Sequence, residues 1–126
     1  MASPEQASSI LIVDDNERTT RALAKLLNGA GYRTRVSFTG EEALAAIERE
    51  GTPAAAMVDI HLPDISGLVL SSKLREKLGA GFPIIVVSGD TSMETIRSLP
   101  QVGATYFFPK PVNAEYLLER LREWVG

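Results

Sequence analysis

Three carboxylates, Asp14, Asp15 and Asp59, stand at the ends of short apolar runs, and a later run closes on Lys110-Pro111. If those runs are parallel strands of one sheet, their ends converge and the three acids share a crevice with one ammonium. Like charges held close raise each other's pKa and cost stability unless a cation or a bound ligand offsets them. Packing alone has no use for such a group. The grouping marks a candidate site, and its reality depends on the elements that would carry it.

With 126 residues the chain is long enough for one domain with a real core and too short for a second of ordinary size, so a single site is expected. Lys and Arg total 13 against 16 Asp and Glu, a formal net charge of -3. That balance gives no general attraction to DNA or to anionic membranes, and a nucleic-acid partner would need a separate domain. The absence of cysteine excludes disulfides, thiolate metal sites and a Cys nucleophile. Residues 1–9, MASPEQASS, lack the basic start and apolar core of a secretory signal, and no later run is long enough to span a bilayer. The expectation is a soluble, cytoplasmic protein with a disordered segment over residues 1–8 and one folded domain over 9–126.

The elements alternate. Ile10 to Val13 is a β-branched run ended by acids, the pattern of a strand buried on both faces. From Glu17 to Ala30 the positions Ala22, Leu23, Leu26 and Leu27 repeat at helical spacing, with Asn16 as N-cap and Gly31 as stop. Tyr32 to Phe38 has a period of two that predicts an edge strand with one wet face. Thr39 to Glu42 has capping-box spacing and opens a second helix. A third strand runs from Ala54 to Val58 and ends at Asp59; Pro63 and Gly67 bracket a loop before a helix bearing Leu70, Leu74 and Leu78. Pro83 to Val87 is a fourth strand, and a second capping box, Thr91 to Glu94, starts a short helix that Pro100 ends. Ala104 to Phe108 is a fifth strand, and Asn113 caps a last helix with Leu117, Leu121 and Trp124 inward. Five βα units in sequence predict a parallel sheet with helices on both faces. Ligands of open α/β sheets bind outside the carboxyl ends of the strands, where every one of these acids falls.

Over about residues 9–125, the runs ILIVDDNE, MVDIHLPDISG, PIIVVSGD and GATYFFPKP together resemble the receiver domain of two-component response regulators. The resemblance implies a flavodoxin-like doubly wound (βα)5 fold with strand order 2-1-3-4-5. It implies that Asp59 is a phosphoacceptor, that Asp14, Asp15 and Asp59 with the backbone carbonyl of His61 hold Mg²⁺ or Mn²⁺, and that Ser88 and Lys110 contact the phosphoryl oxygens. An oxygen-seeking cation that keeps its waters suits such a carboxylate set. The Lys110-Pro111 bond is expected to be cis. Ser88 and Phe107 are the expected switch residues, which relay phosphorylation to the surface of the fourth helix, fifth strand and fifth helix. The implied partners are a histidine kinase or histidine phosphotransfer protein, which docks on the first helix, and a downstream output protein or domain. The resemblance implies a module that phosphorylates and dephosphorylates itself and is not an enzyme in the metabolic sense.

Simpler roles stand beside these. Asp14 or Asp15 alone reads as a helix N-cap, Ser88 as a turn residue, Lys110 as a solvated charge, and Asp64 and Asp90 as turn and cap residues. In the family, the positions of His61 and Asp90 influence how fast the acyl phosphate hydrolyses. Phe107 stands where the family more often has tyrosine, and Tyr106, by strand alternation, points to the opposite face. Two other functions are open to the same residues. A haloacid-dehalogenase-like phosphatase also uses a strand-end aspartate, but places a second Asp where this chain has His61. A receiver-like interaction module would keep the fold without being phosphorylated.

Overall fold

The structure is a computed structural model that describes residues 8–126. Residues 1–7 of the expected disordered segment lie outside the described residues. Ser8 does not fit that expectation: its carbonyl accepts a hydrogen bond from the Arg33 amide at 3.0 Å, which sets it on the sheet.

The first half of the chain forms β1 (Ser9–Val13), α1 (Glu17–Gly29), β2 (Arg33–Ser37), α2 (Gly40–Glu50) and β3 (Ala55–Val58). The second half forms α3 (Gly67–Leu78), β4 (Ile84–Ser88), α4 (Met93–Ser98), β5 (Tyr106–Pro109) and α5 (Ala114–Trp124). All strands pair in parallel in the order β2-β1-β3-β4-β5, the flavodoxin-like doubly wound arrangement expected.

Alternation along the strands divides the interior into two layers. Ile10 and Ile12 of β1 pack with Leu23 and Leu27 of α1 and with Leu117 and Leu121 of α5. Leu11 and Val13 face the other way, onto Ala43 and Ile47 of α2 and Leu70 and Leu74 of α3. Both faces of β1 are therefore covered, which is why its sequence is an unbroken apolar run. Three helices, α1, α2 and α5, start at the polar caps expected. Asn16 Oδ1 accepts from the Thr19 amide, Thr39 Oγ1 from Glu42, and Asn113 Oδ1 from Tyr116. Glu42 returns its carboxylate to the Phe38 amide, one residue before the N-cap, and so satisfies a backbone donor at the start of α2.

Two local expectations are corrected. The short α4 is capped by Ser92, one residue beyond Thr91, because Asp90 Oδ1 takes the Ser92 amide and that tight turn delivers Ser92 Oγ to the Thr95 amide. In the edge strand β2 exposure does not follow the expected period of two: Arg33 and Val36, on opposite faces, are both exposed, Thr34 and Arg35 are half-buried, and only Ser37 is buried.

Two contacts outside the hydrophobic layers hold the loops. Gly67 opens α3 against the end of β3, where a Cβ would lie 1.9 Å from the Asp59 carbonyl oxygen and 2.8 Å from Ile60 Cα. Backbone cannot yield as a flexible side chain can. Arg75 of α3 spreads its guanidinium over three carbonyls: Gly103 at 2.6 Å, Gly79 at 2.6 Å and Phe82 at 2.6 Å. One planar fork thus ties the end of α3 to the start of β4 and to the loop before β5, a geometry an ammonium cannot copy.

Gly67→Ala should destabilise the domain by about 3 kcal/mol through forced displacement of the Asp59–Ile60 backbone, measured by urea unfolding. Arg75→Ala should cost about 2–3 kcal/mol in the same assay, with Arg75→Lys recovering only a minor part of the loss.

Candidate functional site

The strand order reverses between β1 and β3, and there the carboxyl ends of neighbouring strands diverge into a crevice. Asp14 follows β1 directly; its amide still donates to the Ser37 carbonyl at 3.1 Å, so the sheet ladder fixes it. Asp59 follows β3 and donates its amide to the Val13 carbonyl at 2.9 Å. The two acids are therefore held side by side by the same register that pairs Val13 with Val58. Both are buried, Asp14 at 3% and Asp59 at 8% exposure, whereas Asp15 is exposed at the mouth. Carboxylate oxygens from Asp14, Asp15 and Asp59 all lie within 4.8 Å of one another.

Lys110 enters from beyond β5. Its amide donates to the Ser88 carbonyl at 2.9 Å, continuing the β4–β5 ladder by one residue, and the following Lys110-Pro111 bond is cis. The ammonium donates to Asp14 Oδ2 at 2.8 Å and to Asp59 Oδ2 at 3.4 Å. Charge is shared unevenly. Burial and the neighbouring Asp14 push the Asp59 carboxyl above the ordinary carboxylate value of 3.8, against the pull of Lys110 and of the His61 amide. Burial works to lower Lys110, but the hydrogen bond and charge of Asp14, helped by Asp59, leave it raised overall.

Ser88 ends β4 with no exposure, and its Oγ accepts from the Asp90 amide at 3.1 Å. His61 is exposed, with Nε2 3.6 Å from Asp90 Oδ2, so the loop after β3 leans on the loop after β4. Phe107 packs one layer below the crevice, against Ile60, Val86 and Leu99, while Tyr106 lies in the opposite layer with Phe108, Leu117 and Trp124. Adjacent residues on β5 thus report to different helical layers, as strand alternation requires.

Asp64 and Asp90 do not join the carboxylate cluster. Asp64 receives the amides of Gly40 and Glu41 at 2.9 and 2.8 Å, which cap α2 from a distant loop and hold its carboxyl below the usual range. Asp90 is lowered by the Ser92 amide and hydroxyl and by Thr95. Sequence reasoning missed two participants. The close approach of Gly67 had a partial signal in the Pro63-to-Gly67 loop; the Thr95 bond to Asp90 had none, because it depends on where α4 begins.

Beside the crevice runs a groove of ≈ 670 Å³, formed by Ala22, Leu23 and Leu26 of α1 and by Pro111, Val112 and Ala114 before and at the start of α5. Arg18 and Lys110 stand at its polar side. Of the apolar positions of α1, Ala22 is exposed on this surface, while Leu26 lines it and also packs against the core.

Sequence and structure comparisons agree on the family. The response regulator receiver domain description matches residues 10–122. The sensory/regulatory protein RpfC of Xanthomonas campestris pv. campestris is 35% identical over 117 residues, which cover 90% of this chain but 16% of that protein. The polar-differentiation response regulator DivK of Brucella ovis is 30% identical over 120 residues, covering 94% of this chain and 96% of that protein. A CheY-like receiver domain from Methanospirillum hungatei is 35% identical, with a TM-score of 0.87 over 94% of each chain. The chain spans about a sixth of RpfC and nearly all of DivK. By sequence over most of its length and by strand order, the chain belongs to the response regulator receiver domain family.

Proposed function

We propose that this domain is a phosphoacceptor whose Asp59 takes a phosphoryl group from a partner's phosphohistidine, or from a small phosphodonor, and that the modified state is read as a conformational signal. The observation that carries the reading is the crevice itself: three carboxylates within 4.8 Å of one another, with the Lys110 ammonium against two of them. A structural ion pair needs one acid, not three.

The donor set suits a hard divalent cation. Only oxygen ligands are offered, and the raised Asp59 carboxyl marks negative charge that lacks full compensation. Asp14, Asp15 and Asp59, with the His61 carbonyl, would hold Mg²⁺ or Mn²⁺, which supplies charge neutralisation to the phosphoryl oxygens when bound. The remaining work falls on the chain. An oxygen of Asp59 forms a bond to phosphorus as the bond from phosphorus to the donor imidazole nitrogen breaks; the bonding pair stays on that nitrogen, and the ring, already carrying a proton on its other nitrogen, leaves as neutral imidazole. Lys110 would exchange its Asp59 contact for a phosphoryl oxygen, and Ser88 would donate to another. Little covalent chemistry is asked of the protein beyond positioning and charge. Phe107, packed beneath Ile60 and Val86, would follow Ser88 and carry the change to α4 and β5.

The groove along α1 supports a helical phosphodonor partner. Its apolar floor of Ala22, Leu26 and Val112 reaches the crevice at Lys110, so a docked helix would bring a histidine to Asp59. Arg18 and the exposed Arg21 and Lys25 favour an acidic surface opposite. The output partner and the cytoplasmic setting follow from the same signalling role; among the described residues no helix is long and apolar enough to cross a membrane.

Acetyl phosphate with Mg²⁺ should add one phosphoryl mass to the parent protein and none to Asp59→Asn, read by intact-mass spectrometry. An unlabelled parent, under conditions that label a control receiver, would favour an interaction module; sustained turnover of a phosphate monoester would favour a phosphatase.

The charge arrangement also sets a pH dependence. The folded carboxyl of Asp59 is raised above its unfolded value, so the native state binds this proton more tightly, and stability falls as pH rises from about 3.8 through the folded value. In chelator at neutral pH, Asp59→Asn should therefore unfold at higher urea than the parent. Mg²⁺ should raise the parent's midpoint, and raise it less in Asp14→Asn and Asp15→Asn.

A further inference from the structure

We infer that Thr95 is the positioning residue that couples the Ser88 hydroxyl to the first turn of α4, an inference that rests on Asp59 being the phosphoacceptor. Ser88 and Thr95 are both buried polar side chains, and one residue, Asp90, bonds to each. The Asp90 amide donates to Ser88 Oγ at 3.1 Å. Its carboxylate turns the other way, accepting the Ser92 amide on Oδ1 at 3.0 Å and the Thr95 hydroxyl on Oδ2 at 2.9 Å.

Thr95 is committed at every polar atom. Its amide donates to Ser92 Oγ at 3.3 Å and its carbonyl accepts from Ser98 Oγ at 2.6 Å, so α4 is threaded on this residue. A helix of six residues has little stability of its own and takes its position from such anchors. The consequence is mechanical. When Ser88 turns its hydroxyl toward a phosphoryl oxygen above Asp59, it either releases the Asp90 amide or draws Asp90 with it. Asp90 in turn moves only with Thr95 or by breaking a hydrogen bond between a buried hydroxyl and a carboxylate. The short chain Ser88–Asp90–Thr95 thus joins the site to α4 by hydrogen bonds, in parallel with the packing route through Phe107.

A purely structural role would also make Thr95 matter to α4, so the test must read coupling and not only stability. Wild type, Thr95→Val and Thr95→Ser are compared as full chains, each with and without acetyl phosphate and Mg²⁺. Intact mass gives phosphorylation, and amide hydrogen exchange is followed at residues 93–98. All three proteins should gain the phosphoryl mass. In resting Thr95→Val, exchange at these amides should be about fivefold faster, the scale expected for loss of one hydrogen bond. Its exchange should then change little on phosphorylation, whereas Thr95→Ser, which keeps the hydroxyl, should respond as wild type does. If Thr95→Val folds poorly, Asp90→Ala cuts the same link from the other side and should lose the same response. A phosphorylation response in Thr95→Val or Asp90→Ala equal to that of wild type would overturn the inference, as would a phosphorylated wild type with unchanged exchange at α4. Absence of mass gain in wild type would instead overturn the phosphoacceptor reading on which it stands.

Discussion

The whole arrangement turns on one ammonium held between two buried acids that are far apart in sequence. Lys110 meets Asp14 across 96 residues and Asp59 across 51. Only a sheet that brings the ends of β1, β3 and β5 to one edge can collect such partners. The contact does not simply stabilise the fold. Burial and Asp14 both work against ionised Asp59, and Lys110 relieves that opposition only in part, since the carboxyl stays raised. The protein therefore carries an incompletely neutralised acid in a place where the chain could have put an apolar side chain at lower cost. Under the proposed function, that unspent negative charge is what a bound cation would offset and what would let a phosphoryl group take over the lysine.

Contacts elsewhere in the molecule hold the strand ends in place around this site. Gly67 lets α3 start against the Asp59 backbone, so the Asp59 peptide is clamped by main chain and not by a movable side chain. Asp64, only five residues past Asp59, reaches away to cap α2 through two amides, tying the loop after β3 to a helix that follows β2. Arg75 does the equivalent for the opposite end of the sheet through Gly79, Phe82 and Gly103. Each of these polar contacts satisfies backbone groups that turns would otherwise leave exposed or unpaired. By contrast, α4 has only six residues and depends on the loop beside Ser88 for its start.

The strand-end acids were legible in the sequence because each follows an apolar run whose length and composition already mark a buried parallel strand. Asn16, Thr39 and Asn113 were legible as caps because the residues that need them begin immediately afterwards. The parts that were not legible depend on contacts between distant segments. Whether Thr91 or Ser92 caps α4 is decided by the turn at Asp90, since both hydroxyls have suitable spacing to later amides. The period of two in β2 correctly marked a strand, but not which residues stay exposed, since Arg33 and Val36 are exposed on opposite faces. Arg75 reads as one more charged residue on a helix until the loop at Gly103 is brought beside it. Ala22 fits the helical spacing as well as Leu23 does, yet it is exposed on the groove beside Val112 while Leu23 is buried.

The split of the interior into two layers restricts where a change at the crevice can go. Phe107 and Tyr106 are neighbours in sequence, yet Phe107 contacts Ile60, Val86 and Leu99, while Tyr106 stacks at 5.4 Å with Trp124 and at 5.0 Å with Phe108. A movement of Ser88 reaches the first group directly through the end of β4, and reaches the second only by bending β5 itself. The aromatic packing beneath α5 resists such bending, because Tyr106, Phe108, Tyr116 and Trp124 are joined by ring contacts across the strand and helix. Under the proposed function, α5 then serves as the fixed wall and α4 as the element free to be repositioned. The asymmetry follows from the alternation of two adjacent aromatic residues on one strand.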